Sequence, residues 1–180
     1  MTIALIALAV LLLWGIFIYN RLVGEKNRVL SAWSDIDVQL KRRHDLIPKL
    51  VDAVKHYAAY ESATLGEVTA LRERARQSAS VAEIGAVESA LGGKVQRLVA
   101  LAEAYPDLKA DDAFLALQKE LTDVENNIQY ARRYYNGAVR MLNTRIDSFP
   151  DTLVARLLRF IKADYFALDD ADERESPSID

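Results

Sequence analysis

Residues Thr2 to Tyr19 read TIALIALAVLLLWGIFIY, with no charged side chain and Thr2 as the one clearly polar residue. As a helix this stretch is about 27 Å long at ~1.5 Å per residue, close to the ~30 Å hydrocarbon thickness of a bilayer. Whatever follows it must fold and work within reach of a membrane. A cleaved secretory signal would open on a cationic region and close on small residues at a peptidase site. Here no basic side chain precedes the run. It ends on Trp14, Ile16, Phe17, Ile18 and Tyr19, bulky residues that suit an interfacial aromatic belt. An uncleaved transmembrane anchor over 1–20 is therefore expected rather than a signal peptide or a buried core helix. Arg21, Lys26 and Arg28 follow at once, opposed only by Glu25, and Lys41, Arg42 and Arg43 come next. The excess of cations places the C-terminal side in the cytoplasm, giving a single pass of the inner membrane with the N-terminus outside.

About 160 residues remain of the 180 once the anchor is set aside, enough for one domain with a core of its own. There is no cysteine, which excludes disulfides, thiolate metal sites and a thiol nucleophile. The net charge of −3 hides an asymmetry. The last twelve residues, 169–180, carry six acids and one Arg, and the rest of the chain is slightly basic. This tail has little to bury and is expected to be disordered, solubilising the chain or docking a basic partner. The nearly neutral body has no basic stripe interleaved with stacking aromatics, so nucleic acid is not an expected partner.

Between anchor and tail, over 21–168, the periodicity is helical throughout. Val29, Ile36, Arg43, Leu50, Tyr57, Thr64 and Leu71 step by seven, and Trp33, Leu40, Ile47, Val54, Glu61, Val68 and Ala75 interleave with them. This is an a/d-type seam interrupted by Arg43, Glu61 and Thr64. Pro48 lies within it and would kink or end a helix. Asp45 could cap a new helix there, but the seven-residue phase passes through Pro48 without slipping. The pattern therefore predicts one long helix over 22–78, kinked near 44–48. Ser80 with Glu83 has the spacing of a capping box and predicts a second helix over 81–104. Its stripe is Ile84, Val87, Leu91, Val95, Leu98, Leu101 and Tyr105, with Gly92 and Gly93 at its centre as a bend or a close helix approach. A third helix is expected over 110–148, with Phe114, Leu121, Ile128, Tyr135, Leu142 and Phe149 in step. A short amphipathic helix over 151–162 follows, with Leu153, Leu157, Leu158 and Ile161 as its apolar stripe. The expected fold is all-α: an N-terminal transmembrane helix continuing into an elongated antiparallel, four-helix-type, up-and-down bundle.

The inventory of chemistry is short. Neither His44 nor His56 has a Glu three residues before it, so the di-iron Glu-x-x-His pattern is absent. No zinc-protease, nucleophile-elbow, phosphate-loop or dinucleotide motif occurs. Both histidines read as surface or satisfied bundle residues, and cations around His44 would favour its neutral form. One constellation stands apart. Arg133, Asn136, Arg140 and Asn143, preceded by Gln129, form a polar stripe on the third helix. Asp35, Gln39, Arg42 and Asp45, followed by Lys49 and Asp52, form its counterpart on the first. Two such stripes could face and pair across the bundle, or form a groove for a partner or ligand. No catalytic residue, cofactor site or metal site is expected from them.

Two blocks carry a family resemblance. AWSDIDVQLKRRHDLIPKLVDAVKHYAAYE, Ala32 to Glu61, and NNIQYARRYYNGAVRMLNTRIDSFPDTLVARLLRF, Asn126 to Phe160, follow an anchor and YNRLV in that order. The chain resembles the LemA family of bacterial membrane proteins. It departs from the family's usual pattern at Lys49, where Asn is more common, and at Tyr60, where His-Glu is common. The resemblance implies one N-terminal span, a cytoplasmic domain and a four-helix-bundle-type fold, with no established catalytic activity. A family relative associated with magnetosome membranes implies a membrane-organising role. The expected function is thus a non-enzymatic, membrane-anchored scaffold or adaptor for cytoplasmic or membrane proteins, and a homo-oligomer is a further expectation. A membrane-remodelling assembly, or a small-ligand sensor or enzyme between the polar stripes, is the alternative.

Overall fold

The computed structural model describes residues 1–57, 62–102 and 104–166. The acidic tail and seam position Glu61 lie outside the described residues. Among the described residues six helices follow one another: α1 (Thr2–Tyr57), α2 (Ser62–Gln77), α3 (Val81–Ala102), α4 (Pro106–Lys109), α5 (Asp112–Asp147) and α6 (Asp151–Leu157). No strand occurs among the described residues, and the all-α reading holds. Two compact units form. One comprises Met1–Asp35 with Arg133–Tyr165, and the other comprises Ile36–Arg132 with the chain from Phe166. Both α1 and α5 contribute residues to each.

In the second unit, polar contacts order four helical stretches. Arg72 of α2 reaches back to His44 of α1, Lys94 of α3 pairs with Glu67 of α2, and Arg43 of α1 meets Glu88 of α3 and Glu125 of α5. The core between them is built from the expected stripes: Ile36, Ile47, Leu50 and Val54 of α1, Val68 of α2, Leu91 and Leu98 of α3, and Val124 and Ile128 of α5. The single long helix predicted over 22–78 is not formed. α1 ends at Tyr57, and α2 packs back along it. A seven-residue phase reports which residues face a core, not whether the helix between them is continuous. The seam positions Val68 and Ala75 of α2 are buried, as Leu50 and Val54 of α1 are, so the phase survives the reversal. No Gly or Pro occurs between Tyr57 and Ser62 to signal it.

Pro48 does not end α1. Having no N–H, it leaves the carbonyl of His44, one turn earlier, without its helical donor. Arg72 supplies the missing bond: its Nε donates to the His44 carbonyl oxygen at 2.8 Å. Arg72→Leu is therefore expected to cost about 1.5–3 kcal/mol of stability, the range for a hydrogen bond from a charged donor. Urea unfolding checks this, and Arg72→Leu combined with Pro48→Ala should recover most of the loss.

Helix starts follow their capping chemistry. Ser80 Oγ accepts the Glu83 amide at 3.2 Å, and Asp111 Oδ1 accepts those of Ala113 and Phe114 at 2.7 and 3.1 Å. The end of α6 carries a Schellman pair: Phe160 N–H donates to the Ala155 carbonyl and Arg159 N–H to that of Arg156. Arg159 accordingly takes the left-handed conformation, φ 55°, where glycine is the usual residue.

In the first unit, α1 from Ile18 to Val29 packs with the latter part of α5 and with α6. Ile18 and Leu22 are fully buried, Tyr19 meets Phe160 edge to face at 6.1 Å, and Trp33 meets Tyr135 at 5.5 Å. Arg145 bridges Glu25 at 3.4 Å and Asp151 at 3.2 Å. Two expectations fail here. Phe149, read as the last core position of α5, is 80 % exposed. The short helix stops at Leu157, and its apolar stripe faces outward.

Candidate functional site

Residues 2–14 of α1 are all exposed, and only 6 % of its most apolar eighteen-residue stretch is buried. A core helix would show the opposite. The apolar run is uncovered up to Phe17, and burial begins at Ile18. Arg21 lies 5.5 Å over the Phe17 ring, placing a cation next to an aromatic where the run ends, as an interfacial anchor requires.

Arg43 marks a second centre, which the sequence shows only as a flaw in the seam. Its side chain is 4 % exposed and that of its Glu88 partner 3 %. Nη1 donates to Glu88 Oε2 at 2.9 Å and to the Glu88 carbonyl at 3.0 Å, and Nη2 donates to the Glu125 carboxylate. His44 Nε2 lies 2.7 Å from Glu88 Oε1. The ring thus meets a buried carboxylate on α3, where the sequence suggested only the cations of its own helix. Gly92 explains how the group fits: a β-carbon there would stand 3.1 Å from Arg43 Nη2. The glycine costs ~1 kcal/mol of helix propensity relative to Ala and leaves room for the guanidinium. Gly93 meets nothing comparable. Beside the cluster is a cavity of about 250 Å³ whose lining includes Gln96, Gln129 and Arg132. Arg132 is buried, with its guanidinium 5.0 Å over the Phe166 ring.

A larger cavity of about 570 Å³ opens between the end of α1 and the start of α5, lined by Lys49, Asp52, His56, Leu108, Phe114 and Glu120 among others. Its wall mixes apolar side chains with three carboxylates, Asp52, Asp111 and Glu120, against Lys49, a balance that suits a cationic or neutral organic group better than an anion. No group of three His, Asp or Glu side chains is placed to hold a metal among the described residues.

The predicted stripes are treated unequally. On α1, Asp35, Arg42 and Asp45 are exposed, and Gln39 is half-buried with its Oε1 accepting no hydrogen bond. On α5, Arg133 and Arg140 are exposed, and Asn136 and Asn143 are half-buried. Arg140 lines a cavity of about 480 Å³ with Arg21, Arg145 and Asp151. Asn143 has a backbone partner: its Nδ2 donates to the Ala163 carbonyl and its Oδ1 accepts the Ala163 N–H, both at 2.9 Å. Tyr135 continues the tie, its hydroxyl donating to the Asp164 carbonyl at 2.9 Å. Burial, helped by the Asp164 charge, raises the Tyr135 phenol above its ordinary value. A raised phenol favours the fold only while neutral, fully below the unfolded value near ~10 and no longer once pH passes the folded value. Wild type is thus expected to exceed Tyr135→Phe by about 1 kcal/mol at neutral pH. That advantage should vanish in strong alkali, as unfolding curves at the two pH values would show.

Residues 32–180 match the model of the LemA family. Protein LemA of Metamycoplasma hominis is 29 % identical over 165 residues, covering 89 % of this chain and 73 % of the relative. Magnetosome protein MamQ 2 of Paramagnetospirillum magneticum is 22 % identical over 174 residues, covering 82 % of this chain and 64 % of the relative. Magnetosome protein MamQ of Magnetospirillum gryphiswaldense is 21 % identical over 174 residues with the same shares, 82 % and 64 %. The chain thus spans under two thirds of the magnetosome proteins. The exposed apolar helix and these relatives together indicate a membrane-associated protein. With the family model matching most of its length, the chain belongs to the LemA family.

Proposed function

We propose that the protein is a non-enzymatic, membrane-anchored scaffold, holding a packed helical domain at the cytoplasmic face of the inner membrane for protein partners. The observation that carries this reading is the continuity of α1. One unbroken helix, Thr2–Tyr57, supplies first the exposed apolar span and then core residues as far as Val54. Relatives named as magnetosome proteins support a role in organising a membrane. Within the first unit, the exposed charges Asp35, Arg133 and Arg140 are the surface offered to a partner. A buried core held by ion pairs needs no chemistry beyond structure.

The chain has no cysteine, so single introduced cysteines report without background. Glu83→Cys is expected to resist a membrane-impermeant maleimide in intact cells and to react once the inner membrane is opened. Labelling in intact cells would reverse the orientation. Purified in mild detergent, the full chain should carry a stoichiometric protein partner that is lost in Arg133→Glu/Arg140→Glu. Equal capture by that variant would remove the stripe from the interface. The cavity of about 570 Å³ beside His56 favours one second reading, a small-ligand sensor. It predicts a metabolite-induced rise in melting temperature that is lost in Asp52→Ala.

A further inference from the structure

We infer that the segment from Phe149 to Lys162 lies on the membrane surface beside the spanning helix, its apolar side chains among lipid tails and its arginines on anionic headgroups. The inference rests on the membrane-anchor reading and deepens it.

Phe149, Leu157 and Ile161 are 80–85 % exposed and Leu153 is 55 % exposed. Leu153 and Leu157 stand four residues apart on one face of α6, so their exposure is a property of the helix's orientation. Large exposed aliphatics gathered in one short segment call for a cover. Position supplies it. Phe160 packs on Tyr19, and a cavity joins Leu158, Phe160 and Ile161 to Tyr19, Val23 and Lys26. On another side, Phe149 and Pro150 share a cavity with Arg21. The segment therefore sits at the level of residues 19–26, immediately past the point where the uncovered apolar run of α1 ends. A bilayer that receives residues 2–17 has its surface at this level.

Charge agrees. Arg156 and Arg159 are exposed, while the acid within α6, Asp151, is buried and held by Arg145. Lys162 shares its charge with exposed Asp147 at 2.7 Å, so the two arginines carry the net cation of the segment, beside Arg21 and Lys26. Arg159 occupies the left-handed position of the Schellman turn, which glycine would fill without strain. A guanidinium is kept there at a backbone cost, at the edge of an apolar patch. Apolar side chains with flanking Arg, next to a span, are the composition of an interfacial segment that binds anionic lipid.

The test uses the full-length chain in vesicles of phosphatidylcholine with roughly one third phosphatidylglycerol. A nitrobenzoxadiazole probe is placed on single cysteines at Leu11, Ser31, Leu157 or Ile161, and quenchers are lipids spin-labelled high or low on the acyl chain. Leu11→Cys should be quenched by the deep label. Leu157→Cys and Ile161→Cys should be quenched by the shallow label and Ser31→Cys by neither. Arg156→Glu/Arg159→Glu should lower quenching at Ile161 by about twofold or more, as loss of attraction to an anionic leaflet requires. Quenching at Leu11 without quenching at 157 and 161 overturns the inference and leaves the anchor standing. Blue-shifted but unquenched probes at 157 and 161 also overturn it, showing that a second copy of the chain covers the patch. Unchanged quenching in the charge-reversed variant overturns the role of the arginines. Absence of quenching at Leu11 overturns the anchor reading, and the inference with it.

Discussion

Arg43→Met is expected to destabilise the protein by roughly 3–5 kcal/mol, the usual cost of removing one partner from a buried ion pair. The expectation follows from what remains. Glu88 is 3 % exposed, and among the described residues its carboxylate keeps, without Arg43, the His44 ring as its polar partner. Glu125 loses the guanidinium but is 27 % exposed at its side chain, so water covers much of its loss. Most of the cost therefore falls on Glu88. The pair itself is not expected to be worth this much, because desolvating two ions offsets most of their attraction. Arg43→Met/Glu88→Met should consequently recover most of the stability, and Arg43→Lys should recover little, since one ammonium cannot meet the Glu88 carboxylate, the Glu88 carbonyl and Glu125 with the geometry of a planar fork. Chemical denaturation of the three variants in the same detergent checks the pattern. A single-variant loss below about 1 kcal/mol, the scale of an exposed salt bridge, would mean that water reaches Glu88.

Asn143→Ala is expected to cost about 2–3 kcal/mol and to act locally. The two hydrogen bonds to Ala163 are each worth about 0.5–1.5 kcal/mol, with a further penalty for the half-buried backbone groups left behind. Residues 160–166 have no helix of their own. Tyr135, Asn143 and, through Lys162, Asp147 tie them to α5, Phe160 packs on Tyr19, and Phe166 lies under the Arg132 guanidinium. Hydrogen exchange at Ala163 should rise by an order of magnitude or more, as each 1.4 kcal/mol gives a factor of ten, while amides in α3 remain protected. Uniformly faster exchange throughout would show instead that Asn143 supports the whole fold. Asn143→Asp separates geometry from polarity, since it retains the acceptor for the Ala163 N–H and loses the donor to the carbonyl.

The apolar span, the all-helical class, the cap at Ser80, and most core positions are legible in the sequence. They are set by local quantities: hydrocarbon length against bilayer thickness, the 3.6-residue period, and a hydroxyl three residues ahead of an amide. Val87, Leu91, Val95 and Leu98 could be assigned to a core without knowing what they would touch. Even the family resemblance rests on such local blocks. The reversal between α1 and α2 was hidden for the same reason, because the helices on both sides of it bury the same phase.

Only the tertiary structure decided how polar groups are used. Arg43 breaks the seam as a sequence, yet it lies at the centre of a buried network, because Glu88 is 45 residues away and Glu125 is 82. Pro48 is tolerated because Arg72, 28 residues beyond His44, supplies the donor that the helix lacks. Asn143, one member of a polar stripe, holds Ala163 twenty residues on. Leu157 and Ile161 read as an inward stripe and face outward, since which face of a short helix is buried depends on what lies beside it. Periodicity is a one-dimensional property and survives in sequence. The partner of a buried charge is a distance in space, and the fold alone determines it.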